Sequence, residues 1–303
     1  MARVLIAGCG VIGVVVGDSL VKDGHEVYGL KRHPPTGSQA INYIKADLSR
    51  SEDLQETSTS FDLVIYILSP DDRSEQSYRK VFEHGLNNLV KVLSRQTTSP
   101  RYLFISSTSV YGQINGEWVD EESPTQPART NGKIILQAEQ TILANHRRNC
   151  VIRFSGIYGR GENYLFDAVI ENRKVQFQPP YYMNRIHWQD CVRVINMIAN
   201  KMLAGENLEP IYLASDDDPA PKWDVFSYLA SVLGAQPPQK AVLSQDAVQN
   251  KRCSNRRLKG LGLFWRPISS FFRGGFRYVI SWCCVTLKQE SGRACSPRTC
   301  PRR

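Results

Sequence analysis

The 303-residue chain is 42% hydrophobic with a formal net charge of +9, enough apolar content for one large α/β domain or a sheet domain with a smaller annex. No run approaches the roughly 18–20 consecutive apolar residues of a membrane helix, and MARVLIAGCG at the N-terminus reads as a first strand rather than a signal peptide, which implies a cytoplasmic protein. The charge is local: residues 251–303 hold 13 Lys/Arg against one acid, Glu290, leaving 25 basic and 28 acidic side chains in the first 250, which argues against a domain-wide nucleic-acid footprint.

Apolar runs alternate with longer amphipathic stretches, the rhythm of strand–helix–strand units around a parallel sheet. RVLIAG (3–8) is a buried strand, and a helix follows from Val11 to Asp23. HEVYGLKR (25–32) and INYIKAD (41–47) are the second and third strands. FDLVIYIL (61–68) is a continuous apolar run, expected for a strand covered on both faces. A long helix is predicted over 72–96, then a strand RYLFISS (101–107), a helix from Asn131 to Arg147, and CVIRFSGIYG (150–159) as a sixth strand. Beyond Gly159 the pattern loosens. Helical stretches near 163–172, 188–203 and 222–233 surround a short strand, PIYLAS (210–215), and this half is expected to form a cap or substrate lobe.

Cysteine usage changes along the chain. Cys9, Cys150, Cys191 and Cys253 are scattered, as in a reduced cytosolic protein, whereas Cys283, Cys284, Cys295 and Cys300 crowd the end without a CxxC pair. No metal site is expected from that spacing. The aperiodic composition from 281 to 303 predicts a disordered basic tail.

AGCGVIGVVVG supplies Gly8, Gly10 and Gly13 as G-x-G-x-x-G between a strand and a helix. In a dinucleotide fold the first glycine permits the tight turn, the second lets the backbone approach a pyrophosphate, and the third lets helix and strand pack closely. The helix N-terminus then offers N–H groups to phosphate. At the end of the second strand an NAD binder usually carries Asp or Glu for the ribose 2′-OH. Leu30, Lys31 and Arg32 stand there instead, which suits the 2′-phosphate of NADP better than NAD.

GCGVIG, ADL (46–48), ISSTSVYG (105–112), WVDEESPTQP (118–127), RFSGIYGRGE (153–162) and NRIHWQDCVRVI (184–195) together make residues 1–280 resemble the extended short-chain dehydrogenases/reductases (SDR), in particular the atypical NAD(P)-dependent epimerase/dehydratase group. The resemblance implies a Rossmann-type doubly wound parallel sheet over 1–160 and a small C-terminal substrate lobe over 161–280 with elements returning to the sheet. It places Asp47 and Leu48 against adenine, and Leu68 and Ser69 along the cofactor after the fourth strand. Cys9, Val11 and Ile12 of the glycine loop and Ser106 complete the expected cofactor set. Ser107 matches the catalytic Ser/Thr, and Tyr158 and Asp190 border the substrate, although an N-cap role explains Asp190 equally well.

Family members open the next long helix with Y-x-x-x-K, in which tyrosine exchanges a proton with the substrate and lysine lowers its pKa. Aligning Glu139 with the glutamate that follows puts Asn131 at the tyrosine position and Ile135 at the lysine position; shifting to Lys133 puts Arg129 at the tyrosine position. Neither register restores the pair. Asn131, Lys133 and Tyr111 stay as candidate site residues beside Ser107, with Tyr111 as a substitute proton donor. His187 is a candidate base or a structural histidine. Arg153 and Arg160 bind an anionic substrate or close surface ion pairs. Two functions follow: an NADP-dependent oxidoreductase or epimerase/dehydratase acting on a carbonyl compound or nucleotide sugar, or a non-catalytic NADP(H)-binding sensor or scaffold. The resemblance also implies a homodimer formed through the helices at 72–96 and 131–147.

Overall fold

The computed structural model describes residues 1–36, 40–54, 60–160, 164–241 and 249–263; the expected tail over 281–303, with its four cysteines, lies outside them. The first half of the chain runs β1 (Arg3–Ala7), α1 (Val11–Lys22), β2 (Glu26–Lys31), β3 (Asn42–Lys45), β4 (Leu63–Tyr66), α2 (Glu75–Arg79), α3 (Leu86–Leu93), β5 (Arg101–Ser107), β6 (Glu117–Val119) and α4 (Thr130–Asn145). The second half continues with β7 (Cys150–Phe154), β8 (Gly156–Tyr158), α5 (Tyr164–Ile170), β9 (Tyr182–Met183), β10 (Arg185–His187), α6 (Trp188–Leu203), β11 (Ile211–Ala214), β12 (Ala220–Pro221), α7 (Lys222–Leu233), β13 (Lys251–Cys253) and α8 (Arg256–Gly260).

Seven strands form one sheet in the order β11-β7-β5-β4-β1-β2-β3, and every pairing within it is parallel. This is a Rossmann-type α/β fold. Because successive side chains of a strand point to opposite faces, β1 feeds both sides. Val4 and Ile6 pack with α1 and α6 through Leu20, Ile195 and Ile198, whereas Leu5 and Ala7 pack with α3 and α4 through Leu86, Leu89, Ile134 and Ile142. Cover on both faces explains the unbroken apolar runs of β1 and β4. A separate small core joins α5 and α7 through Val169, Val225, Phe226 and Leu229.

Three departures from the expected elements affect the site. The strand expected over 150–159 breaks at Ser155, so that β8 leaves the sheet and pairs with β10. The helix expected from residue 72 starts at Glu75, where Ser74 caps it by accepting from the Ser77 N–H, and it carries a wider π-helical turn over Lys80–Gly85. Finally, β6 and β13 pair across a long sequence separation, Glu117 opposite Lys251. Segments of three residues carry too little periodicity to be read in advance.

A buried polar network ties α4 to the sheet. Glu139 and Arg153 are 1% and 3% exposed. Arg153 Nη2 donates to Glu139 Oε2 at 2.7 Å and Nε donates to Oε1 at 3.0 Å. The Ser106 hydroxyl donates to the same carboxylate. The fork's other arm, Nη1, donates to the Tyr111 hydroxyl at 3.0 Å, which in turn donates to the Asp120 carbonyl at 2.7 Å. One cation thereby gathers β5, α4, β7 and the turn after β5. Breaking a buried pair by removing one partner leaves an uncompensated charge, so Glu139→Gln should cost about 3–5 kcal/mol. The urea midpoint should fall accordingly, and adding Arg153→Met to the same chain should recover at least half of the loss.

Candidate functional site

The sheet order reverses at β1: β2 and β3 lie to one side, β4, β5, β7 and β11 to the other. In open parallel sheets ligands bind beyond the carboxyl ends of the strands at such a point. A cleft of about 600 Å³ opens there, within the size range of cofactor sites. Gly8 leaves β1 with φ +94°, and a Cβ on it would lie 2.6 Å from the Ile67 carbonyl oxygen after β4; only glycine lets the two strand ends meet this closely. Gly10 begins α1 without a side-chain cap, and the first turn of α1 holds no acid. Its N–H groups therefore face the cleft with no carboxylate competing for them.

Gly8, Cys9, Gly10, Val11, Ile12, Gly13, Lys31, Arg32, Asp47, Leu48, Leu68 and Ser69 all line this one cleft. Its end beyond β2 is built from opposed charges. Arg32 forms a two-pronged pair with Asp71, Nη1 to Oδ2 at 2.8 Å and Nη2 to Oδ1 at 2.6 Å. Asp47 accepts from the Ser49 N–H and hydroxyl at 2.9 and 2.7 Å and from Lys80 Nζ at 3.2 Å. Burial pushes the Asp47 carboxyl up, but the bonds from Ser49 and Lys80 outweigh it and hold the group below its ordinary range. Among the described residues Lys31 has no carboxylate partner. Asp71 and Lys80 also line the cleft and were not foreseen from sequence. Lys80 arrives there on the π-helical turn, where the Val81 carbonyl accepts the Tyr66 hydroxyl at 2.6 Å; such turns often mark functional sites. The buried thiol of Cys9 is pushed up by burial, which keeps it in its inert protonated form.

The candidate catalytic residues do not converge. Ser107 is half-buried at the end of β5, and its hydroxyl accepts from the Ser109 N–H at 3.1 Å. In the chain it falls between Ile105, which lines the cleft, and Thr108, which lines a second cavity. Tyr111 corrects the sequence expectation: it is 0% exposed, bonded at its hydroxyl to Arg153 and Asp120, and burial raises its pKa. A phenol so enclosed does not meet a substrate. Ser106, expected at the cofactor, belongs to the Glu139 network instead. Arg153 is likewise neither a substrate ligand nor a surface ion-pair partner, being held by Glu139 and Tyr111. Asn131 donates to the Arg73 carbonyl at 3.0 Å, Lys133 is exposed to solvent, and Ile135 is buried in the core beside the sheet. Gly132 allows this start of α4 to press on the Ser107–Tyr111 turn, since a Cβ there would lie 2.6 Å from the Ser109 carbonyl oxygen.

On the lobe side, Tyr158 is half-buried and meets His187 edge-on at 5.2 Å. Asp190 is buried in the first turn of α6 and pairs with Arg193 at 2.9 Å. The N-cap of α6 is His187, whose Nδ1 accepts from the Gln189 N–H at 3.4 Å, so the capping role considered for Asp190 falls to the histidine. Burial pushes the His187 imidazole down, with Asp190 opposing. Arg160 lines the cofactor cleft.

Residues 4–212 match the model of the NAD-dependent epimerase/dehydratase family. A 3-beta-hydroxysteroid dehydrogenase from Mycolicibacterium neoaurum is 26% identical over 247 residues, covering 72% of this chain and 67% of that protein. Protein YeeZ of Escherichia coli K12 is 24% identical over 248 residues, covering 79% and 86%. Among solved structures, an NAD-dependent epimerase/dehydratase, so described, from Methylobacillus flagellatus superposes with a TM-score of 0.74 at 28% identity over 93% of this chain and 98% of its own. The UDP-glucose 4-epimerase of Thermus thermophilus in complex with NAD shares the fold, with a TM-score of 0.70 at 19% identity over 92% and 98%. The family match spans the glycine loop, nearly all of the seven-stranded sheet and the turn carrying Ser107, and the chain belongs to the NAD-dependent epimerase/dehydratase family.

Proposed function

We propose that this chain is an NADP-dependent SDR oxidoreductase or epimerase/dehydratase that works without the tyrosine–lysine pair. The observation that carries the reading is the cleft itself: a glycine turn that only glycine can make, an uncapped helix N-terminus, and Lys31 and Arg32 at the end of β2 where a carboxylate would favour NAD. The fit is physical, since a turn without side chains and a helix N-terminus without a cap are what a pyrophosphate approach requires. Bound there, the nicotinamide supplies a hydride acceptor or donor. The chain's own part is to hold the phosphates at Gly8–Gly13, the 2′-phosphate at Lys31 and Arg32, and a substrate oxygen at the Ser107 hydroxyl.

General acid–base assistance contributes about 10²–10⁴-fold in rate. With Ile135 in the core, Lys133 in solvent and Tyr111 enclosed, turnover at the slow end of the family's range is expected. The same three placements favour a second reading, an NADP(H)-binding sensor or scaffold. The readings part on single-turnover oxidation of bound NADPH in the presence of carbonyl compounds, which a sensor would not perform.

Nicotinamide fluorescence titrations with NADPH and NADH test the cofactor assignment. NADPH should bind more tightly, and Lys31→Ala with Arg32→Ala should erase the preference. Each lost charged hydrogen bond is worth about 1.5–3 kcal/mol, roughly ten- to a hundredfold in Kd. Failure of both cofactors to bind at millimolar concentration would overturn the reading. A finer prediction concerns Asp71, which occupies the guanidinium fork that a 2′-phosphate needs. An exposed pair is worth up to about 1 kcal/mol, so Asp71→Asn should tighten NADPH up to roughly fivefold while leaving NADH nearly unchanged.

A further inference from the structure

A second cavity, of about 250 Å³, lies on the lobe side of the Ser107–Tyr111 turn. Its wall is assembled from Thr108, the start of α5, the Tyr181–Arg185 stretch, the start of α7 and the Gln249–Lys251 segment. Among its described lining residues three are cations, Arg185, Lys222 and Lys251, and none is an acid. Lys251 is only 6% exposed. Among the described residues its ammonium has no hydrogen-bond or ion-pair partner, and neither has the half-buried guanidinium of Arg185. The Lys222 ammonium lies 5.2 Å from the centroid of the Phe226 ring and pairs with no carboxylate. Burial pushes both Lys251 and Arg185 below their ordinary ranges, while Asp216, the carboxylate whose field reaches Arg185, acts in the opposite sense.

Main-chain bonds fix this arrangement. The Asn184 amide donates to the Lys251 carbonyl at 2.8 Å and its oxygen accepts from the Cys253 N–H at 2.7 Å. Gln249 donates to the carbonyls of Ser109 and Tyr111 at 3.0 and 3.1 Å. Lys251 is thereby pinned against the turn that follows Ser107. Holding a desolvated ammonium and a guanidinium that no described carboxylate pairs with directly is unfavourable, and the cost is relieved when an anion enters. Strained or uncompensated groups of this kind concentrate where ligands bind.

We propose that this cavity is a subsite for a small substrate bearing an oxyanion, a carboxylate or a phosphate monoester, gripped by Lys251 and Arg185 with Lys222 adding positive field. The cavity holds an anionic head and a few attached carbons. Calling the occupant a substrate rests on the oxidoreductase reading, whereas the anion site itself does not. The test uses the full chain carrying Lys31→Ala and Arg32→Ala, which removes the cofactor-end cations and makes the outcome independent of whether NADPH binds. Inorganic phosphate and malonate are titrated separately by calorimetry and thermal unfolding, and the titrations are repeated with Lys251→Met or Arg185→Gln added.

Lys251→Met should raise the anion-free Tm by roughly 2–4 °C, because it removes an unpaired buried charge. It should also weaken anion binding about tenfold or more, as should Arg185→Gln. A response to phosphate alone assigns a phosphate monoester, a response to malonate alone a carboxylate, and a response to both the shared oxyanion chemistry. Anion binding that both variants leave unchanged, no binding of either anion, or a Lys251→Met variant that unfolds earlier without anion would each overturn the proposal.

Discussion

Two full charges stand inside the protein between a helix and the sheet, and the site's geometry hangs on them. Arg153 on β7 forks into Glu139 on α4 and reaches Tyr111 with its remaining arm. Removing two charges from water is costly unless every remaining hydrogen bond is made, and here Ser106, Tyr111 and Asp120 make them. What the network secures is position. It sets the start of α4 against the turn after β5, where Gly132 removes the side chain that would otherwise hold them apart. Ser107 ends β5, next in the chain to Ser106, which the clamp holds. The tyrosine beside it, although of the right chemical type for proton transfer, is consumed as a structural hydrogen-bonding group.

The cofactor cleft shows the opposite strategy, charges left near water and only loosely committed. Arg32 and Asp71 are each about half-exposed, 49% and 55% at their side chains, so their mutual attraction is screened and readily exchanged for a ligand. Asp47 is held more firmly by Ser49 and Lys80. A site built from exchangeable pairs can admit a phosphate without first exposing an isolated charge. Among the described residues the lobe cavity's Lys251, Arg185 and Lys222 form no ion pair of this kind, although the field of Asp216 reaches Arg185, and the two regions therefore differ in what they demand of an occupant.

Most of the sheet was legible because a strand buried on both faces leaves an apolar run and a crossover helix leaves a period of 3.6. The glycine loop was legible because its turn forbids a Cβ at Gly8. Lys31 and Arg32 could be assigned to the cleft from their place at the end of β2. Other features depend on groups far away in sequence. Nothing around Tyr111 announces that an arginine 42 positions on will take its hydroxyl. Asp71 gains its meaning only when the loop after β4 meets the end of β2, and Lys251 only when a three-residue strand finds Glu117. The alternative of Asp190 as an N-cap fell away because His187, a residue with modest capping preference, took the cap. Local pattern reports what a segment is; it does not report which distant group will enclose it.

The π-helical turn over Lys80–Gly85 adds one residue to what would otherwise be a regular helical register. A π turn takes up an extra residue by widening locally, so the helix on either side keeps the register of a regular spiral one residue shorter. Excising a residue there would leave α2 and α3 in line and close the turn itself, which carries Lys80 to Asp47 and presents the Val81 carbonyl to the Tyr66 hydroxyl. Chain length can thus change at this point with little effect on the ends of the helix, and the cost falls on the cleft's wall.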